Sequence, residues 1–201
     1  YTTGVSSATR GCMGGGDGYV DIIDYVTIAS VGDAADFGDR TITASCEASC
    51  ESSTRGIFAG GFGAPGDPGF DEIDYITIAS TGNATDFGDL LSGNESLTGL
   101  SSSVRGVFAG GFGKTDIIQY ITIASTGDAT DFGDLVTGRD NFAGTSNATR
   151  GCFSGGRTPS HINTIDYITI ASTGDAADFG DLTAVSNAGS GESDSHAGLQ
   201  H

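Results

Sequence analysis

The chain has 201 residues, with 34 Gly, no Trp and 37 % apolar residues, which suits one domain or an array of repeats. Its net charge of −18 argues against nucleic acid as a partner, because neutralising phosphates takes a basic face; it favours a strongly solvated surface and cationic partners. No apolar run approaches the roughly 18 residues that a membrane helix requires, and no basic start with an apolar block marks a signal peptide, so neither is expected.

Residues 1–9 are small and polar and lead into Arg10-Gly-Cys-Met-Gly-Gly-Gly. The same short phrase returns as Arg55-Gly-Ile-Phe-Ala-Gly-Gly, Arg105-Gly-Val-Phe-Ala-Gly-Gly and Arg150-Gly-Cys-Phe-Ser-Gly-Gly. Each is a short β-prone run closed by a Gly pair, and reads as a strand ending in a tight connection. A longer phrase follows each time, beginning at Ile23, Ile73, Ile118 and Ile165; its last copy is IDYITIASTGDAADFGDL. IDYITI, rich in Ile, Tyr and Thr, is the clearest strand of each copy. Ser-Thr-Gly-Asp-Ala is expected to form the hairpin turn, because Gly supplies positive φ and Asp or Asn bonds back to the backbone. Ala-x-Asp-Phe-Gly-Asp then returns as a third strand, and the small-residue stretch before the next Arg supplies a fourth.

From the last Asp of each DFGD to the next Arg is always sixteen positions, whereas the stretch from Gly-Gly to Tyr varies. The period is therefore 45 to 50 residues, a range that signals repeat folds. In IDYITI both faces carry apolar side chains, as expected of a sheet stacked between two neighbours rather than one with a wet face. Four strands per repeat is the make-up of a propeller blade.

The recurring Arg-Gly-x-Phe-x-Gly-Gly, the Tyr strand (Tyr25, Tyr75, Tyr120, Tyr167) and the aromatic-initiated outer strand (Phe37, Phe87, Phe132, Phe179) resemble the kelch repeat. Phe stands where kelch has Trp, and the Tyr-to-Phe gap is longer, which implies a longer central hairpin. The resemblance implies an all-β, kelch-like β-propeller with four four-stranded blades over residues 1–182, divided near 1–40, 41–90, 91–135 and 136–182. Residues 183–201 are then a flexible or docking tail. The wording of the repeat is also similar to repeat proteins among the virion structural proteins of tailed phages. That resemblance implies a non-enzymatic virion or extracellular protein, a fibre, neck or baseplate component working within a larger assembly or homo-oligomer. It would contact other virion or surface proteins or a host glycan. A secreted lectin-like adhesin and a glycan-active propeller enzyme are the alternatives.

Candidate chemistry divides between repeated and unrepeated residues. Asp33, Asp36 and Asp39, like Asp128, Asp131 and Asp134, are candidate Ca²⁺ ligands, since Ca²⁺ takes several oxygens; fourfold repetition favours turn chemistry instead, and no other cofactor is expected. Arg10, Arg55, Arg105 and Arg150 are expected to pair with buried carboxylates. DFG without a kinase glycine loop carries no phosphoryl-transfer meaning, and GGFGKT from Gly110 has Phe108 where a P-loop requires Gly. Cys12 and Cys152 share a column with Ile57 and Val107, so they read as small buried side chains, with a bridge between them conceivable if first and last repeats touch. Cys46 and Cys50, about 13 Å apart along a strand, are too distant for a disulfide. No catalytic residues are expected. The copies differ most between Gly-Gly and Tyr, where Tyr19, Phe70, Lys114, Arg157 and His161 stand. These residues, with Arg40, Arg139 and Asp140 in the loops that lead into the inner strands, are the candidate binding residues, because variable loops on a rigid scaffold carry recognition.

Overall fold

A computed structural model describes residues 2–16, 18–187 and 191. It is all-β, with four antiparallel four-stranded sheets, each built from one repeat in sequence order. The first blade holds β1 (Thr3–Ser6), β2 (Arg10–Gly14), β3 (Val20–Thr27) and β4 (Ala35–Ala44). The second holds β5 (Ala48–Glu51), β6 (Arg55–Ala59), β7 (Phe70–Thr77) and β8 (Thr85–Asn94). The third holds β9 (Thr98–Ser101), β10 (Arg105–Ala109), β11 (Ile117–Thr122) and β12 (Thr130–Asp134). The fourth holds β13 (Ala143–Ser146), β14 (Arg150–Ser154), β15 (Ile162–Thr169) and β16 (Ala177–Ser186). β16 runs past Leu182 into the segment expected to be a tail; the rest of that segment, apart from Asn187 and Gly191, lies outside the described residues.

The short strands β1, β5, β9 and β13 lie innermost and neighbour one another. The Ser49 hydroxyl donates to the Gly4 carbonyl at 2.9 Å, Ser101 to the Glu51 carbonyl at 2.9 Å and Ser146 to the Ser101 carbonyl at 2.8 Å. Small residues here let the sheets approach closely. A Cβ on Gly99 would collide with the Ser49 backbone.

Both faces of the Tyr strand are used, as its pattern predicts. Ile73 and Tyr75 point towards the following blade; Asp74, Ile76 and Ile78 point towards the preceding one. The resulting cores lie between blades. One joins Val5, Cys12, Ile23 and Phe37 of the first blade to Phe58, Ile76 and Ile78 of the second, and two more join the second to the third and the third to the fourth. Among the described residues, four blades thus share three cores. Burying one Phe or Ile in such a core stabilises the array by about 1.5–3 kcal/mol.

Every seam is stitched by the same bonds. Gly82 N donates to Phe37 O and Ala84 N to Asp39 O, both at 2.7 Å, while Asp39 N donates to Asn83 Oδ1 at 3.1 Å. The set recurs from Gly127, Ala129 and Asp128 to Phe87 and Asp89, and from Gly174, Ala176 and Asp175 to Phe132 and Asp134. The sequence expectation for Gly-Asp is corrected here. The turn itself is Thr-Ile-Ala-Ser, closed by Ser80 N to Thr77 O at 3.0 Å and its equivalents. Gly-Asp/Asn-Ala lies along the preceding blade, where its amides satisfy carbonyls that a strand edge would leave bare.

The Gly of DFG makes this contact possible. A Cβ on Gly38, Gly88 or Gly133 would sit 2.5 Å from the backbone of Gly82, Gly127 or Gly174 respectively, and all three have positive φ (143°, 141° and 144°). They mark the point where the register with the Tyr strand shifts. DFG is a packing motif.

The repeated Arg is corrected as well. Arg10 stacks over Tyr25 with its guanidinium carbon 4.4 Å from the ring centre, and Nη1 donates to the Ile78 carbonyl of the next blade at 2.7 Å. Arg55 does the same over Tyr75 to Ile123 O (2.8 Å), and Arg105 over Tyr120 to Ile170 O (3.0 Å). Their partners are an aromatic face and a carbonyl, a cation–π clamp in place of the expected carboxylate.

The four Cys are free thiols. Cys12 is buried in the first core, and burial pushes its thiol up to about 11 against the opposing Arg10 charge.

Candidate binding face

Two sets of loops share one rim of the array. The connections from β2 to β3 and their equivalents meet the connections out of the outermost strands. Ser45 bridges Phe62, Asp140 bridges Arg157, and the Phe112 amide donates to the Glu95 carbonyl at 2.8 Å. The variable segments therefore come together on one side, and the repeated turns lie on the other.

At the junction of the third and fourth blades, Asp140 gathers the cations. Lys114 Nζ lies 2.9 Å from its Oδ2, Arg157 Nη2 lies 3.0 Å from the same oxygen, and Arg157 Nε donates to Oδ1 at 3.1 Å. Asn141, held at φ 53°, donates to Oδ1 at 3.2 Å. Burial pushes the Asp140 carboxyl up, but these hydrogen bonds outweigh it and hold the group below its ordinary range. The carboxylate is fully covered while the Lys114 and Arg157 side chains are 33 % and 42 % exposed. Two cations oriented by one buried anion, with the Glu95 carboxylate also close to Asp140, present their remaining N–H donors at the surface of an acidic protein. Such donors suit a carboxylate, sulfate or phosphate of a ligand.

His161 is exposed beside it, bridged to Arg157. Tyr19 stands at the first junction, its ring 5.4 Å from that of Phe62 in an edge-on contact. Phe70 opens β7, half-buried against Gly63. These residues are distributed along the rim rather than collected in one pocket.

Arg139 does not belong to this face. It is fully buried, with Nη2 2.9 Å from Asp166 Oδ2 and 3.3 Å from Phe153 O. Its column holds Asn94 in the second blade, whose side chain likewise turns inward to the Gly110 carbonyl. Arg40 is also buried, between Glu47 at 2.9 Å and Asp74 at 3.2 Å. The sequence placed both with the loops because each stands after DFGD in the stretch that leads into the next inner strand. Here Arg40 and Glu47 occupy the places that Leu90 and Leu97 fill at the next seam, so an ion pair replaces an apolar pair. Burial nonetheless pushes the Glu47 and Asp166 carboxyls up despite their Arg partners.

Sequence reasoning missed Phe112, which is 59 % exposed. The signal was present. The residue after Gly-Gly is Phe in copies two and three but Asp or Arg in the others, so it is not a scaffold position.

The Asp columns are taken up by the seams. Asp128 accepts from the Asp89 amide, and among the described residues no group of three or more His, Cys, Asp or Glu is placed to hold a metal ion. Asp33, Asp36 and Asp39 do not converge either. What the columns do produce is repulsion across blades. Asp134 lies near Asp116, Asp175 and Asp131, and desolvation followed by these charges pushes its carboxyl up; Asp89 behaves alike.

The innermost strands border an open cleft of about 710 Å³, lined by residues such as Val5, Ser49, Glu51 and Leu100. No helix of the described residues is long and apolar enough to cross a membrane. No protein-family model matches the chain, and no curated protein matches it.

Proposed function

We propose that the chain is a non-enzymatic scaffold and binding protein, a kelch-like propeller array whose loop rim recognises another protein or a surface glycan. One observation carries this reading. The side chains fixed by the repeat are taken up in holding blades together, whereas Tyr19, Phe112, Lys114, Arg157 and His161, which the repeat does not fix, stand on one rim. Half-exposed cations in the same stretch of rim as the exposed ring of Phe112 suit an anionic sugar or an acidic peptide. The phrase-level likeness to phage virion proteins supports reading such a scaffold as a component of a virion appendage or an extracellular surface, working in a larger assembly.

A panel of sulfated, carboxylated and neutral glycans tests this, with the Lys114→Gln/Arg157→Gln double variant and Phe112→Ala as controls. Binding to acidic members that falls at least tenfold in both variants, without release of product, supports the reading. Unchanged binding in both variants contradicts it, and turnover of a bound glycan would favour the enzyme alternative.

A further inference from the structure

Outside the innermost strand, where Gly191 lies against the Gly144 backbone, the two ends of the array are unmatched halves of the seam that the described residues make three times internally. On the rear face of the fourth blade, Phe179 is 53 % exposed, whereas Phe37, Phe87 and Phe132 are each 2 % exposed. A Cβ on Gly180 would meet nothing within 4 Å, although its counterparts meet the next blade's backbone at 2.5 Å. Arg150 stacks over Tyr167 at 4.7 Å as its siblings do, but among the described residues it has no Ile carbonyl beyond. Among the described residues, no counterpart of the seam bonds is formed at Phe179 O or Asp181 O.

The front face of the first blade is the complement. Ile28 is 58 % exposed, where Ile78, Ile123 and Ile170 are at most 1 % exposed. Asp24 is half-exposed, where Asp74 and Asp166 are fully buried and accept from Thr41 N and Val136 N of the preceding blade. Gly32, Asp33 and Ala34 are exposed and occupy the Gly82-Asn83-Ala84 columns.

From this complementarity we infer that the rear face of the fourth blade docks on the front face of the first blade of a second copy, repeating the outer part of the internal seam between chains. The occupant must offer two spaced amides to Phe179 O and Asp181 O, an Asx oxygen to Asp181 N, an acceptor to Thr183 N and an Ile carbonyl to Arg150. Gly32, Ala34, Asp33, Asp24 and Ile28 of this chain form that set. The chain's own first blade is disfavoured because three identical seams set the curvature, and they leave its two ends open. The contact is heterologous, so it closes a ring or extends as a filament; two copies would give eight blades, the upper end of the usual propeller range. It does not depend on what the loop rim binds. Because each copy carries −18 while the seam is apolar and backbone-bonded, added salt should strengthen it.

Mass measurement by light scattering over a range of concentrations tests the inference, with Phe179→Arg and Ile28→Arg blocking opposite faces. The wild type should reach multiples of 20.2 kDa, more readily in high salt. Each variant alone should remain monomeric with an unchanged circular dichroism spectrum, and an equimolar mixture should form a dimer, because each supplies the face that the other lacks. A wild type that stays monomeric at every concentration overturns the inference, whether its ends are idle or closed on each other. So does an assembly that both variants still form, or a mixture that stays monomeric although both variants are folded. If either variant fails to fold, Val31→Arg, at a side chain fully exposed beside Gly32, replaces Ile28→Arg, and Thr183→Arg, at an exposed position of β16, replaces Phe179→Arg.

Discussion

The backbone of Gly38 lies against that of Gly82, 44 residues on, so closely that a Cβ on the first would come within 2.5 Å of the second. The same pairing joins Gly88 to Gly127 and Gly133 to Gly174, and stops at Gly180. Seams between blades, not chemistry within them, account for the most repeated residues of this chain.

Gly88→Ala and Gly180→Ala separate crowding from backbone strain. Both sites have positive φ (141° and 136°), so both bear the cost of placing Ala there. Only Gly88 adds a clash with the next blade. Chemical denaturation should show Gly88→Ala less stable than Gly180→Ala by about 1–3 kcal/mol, the usual cost of overpacking; equal losses would mean that the seam is not close-packed.

Phe87→Ala opens a cavity in the second core and should cost about 3–5 kcal/mol. Phe179→Ala, at a half-exposed side chain, should cost under about 1 kcal/mol in dilute monomer, where surface substitutions rarely do more. The comparison is read from melts of the two variants at a concentration low enough to keep the chain single.

Arg40→Leu strands Glu47 and Asp74 in the first seam without their cation and should cost about 3–5 kcal/mol. The triple change Arg40→Leu/Glu47→Leu/Asp74→Gln copies the second seam, with its Leu90, Leu97 and Gln119, and should recover wild-type stability or exceed it. A triple variant as unstable as the single one would show that the ion pair does more than fill space.

Stability should rise as the pH falls from neutral. Asp89, Asp134, Glu47, Glu95 and Asp166 all have folded values raised above their unfolded ones, by desolvation first and, at the exposed Asp89 and Asp134, by the charges of neighbouring Asp side chains. A raised acid destabilises when ionised, so stability is gained as pH falls through the folded value and stops growing at the ordinary carboxylate range of about 4. Asp140 is depressed, so its contribution is lost at still lower pH. Melting temperature should therefore peak at mildly acidic pH, and Asp134→Asn should flatten the acid side of the rise.

Fold class, blade number and strand order were legible because Ile, Tyr and Gly recur with fixed spacing and both faces of IDYITI are apolar. The destination of Gly-Asp was not, because a turn and a strand-edge contact in a neighbouring blade ask for the same residues: small, with a free amide and a short polar side chain. The burial of Arg139 and Arg40 was hidden for a related reason. Each is neutralised by an Asp that stands in the Tyr strand of the next blade, and pairing across a seam leaves no local trace. The loop rim was legible from variation among copies, apart from Phe112, which borrows the look of the glycine phrase beside it.

Amide hydrogen exchange tests the account of open, complementary ends most directly. In dilute protein, Gly82, Ala84, Gly127, Ala129, Gly174 and Ala176 should exchange slowly, since each donates across a seam. Gly32 and Ala34 should exchange fast, and should slow only as concentration or salt brings a second copy onto them. Protection of Gly32 and Ala34 in dilute monomer equal to that of their three sets of counterparts would contradict the account, because it would mean that the first blade's front face is already covered.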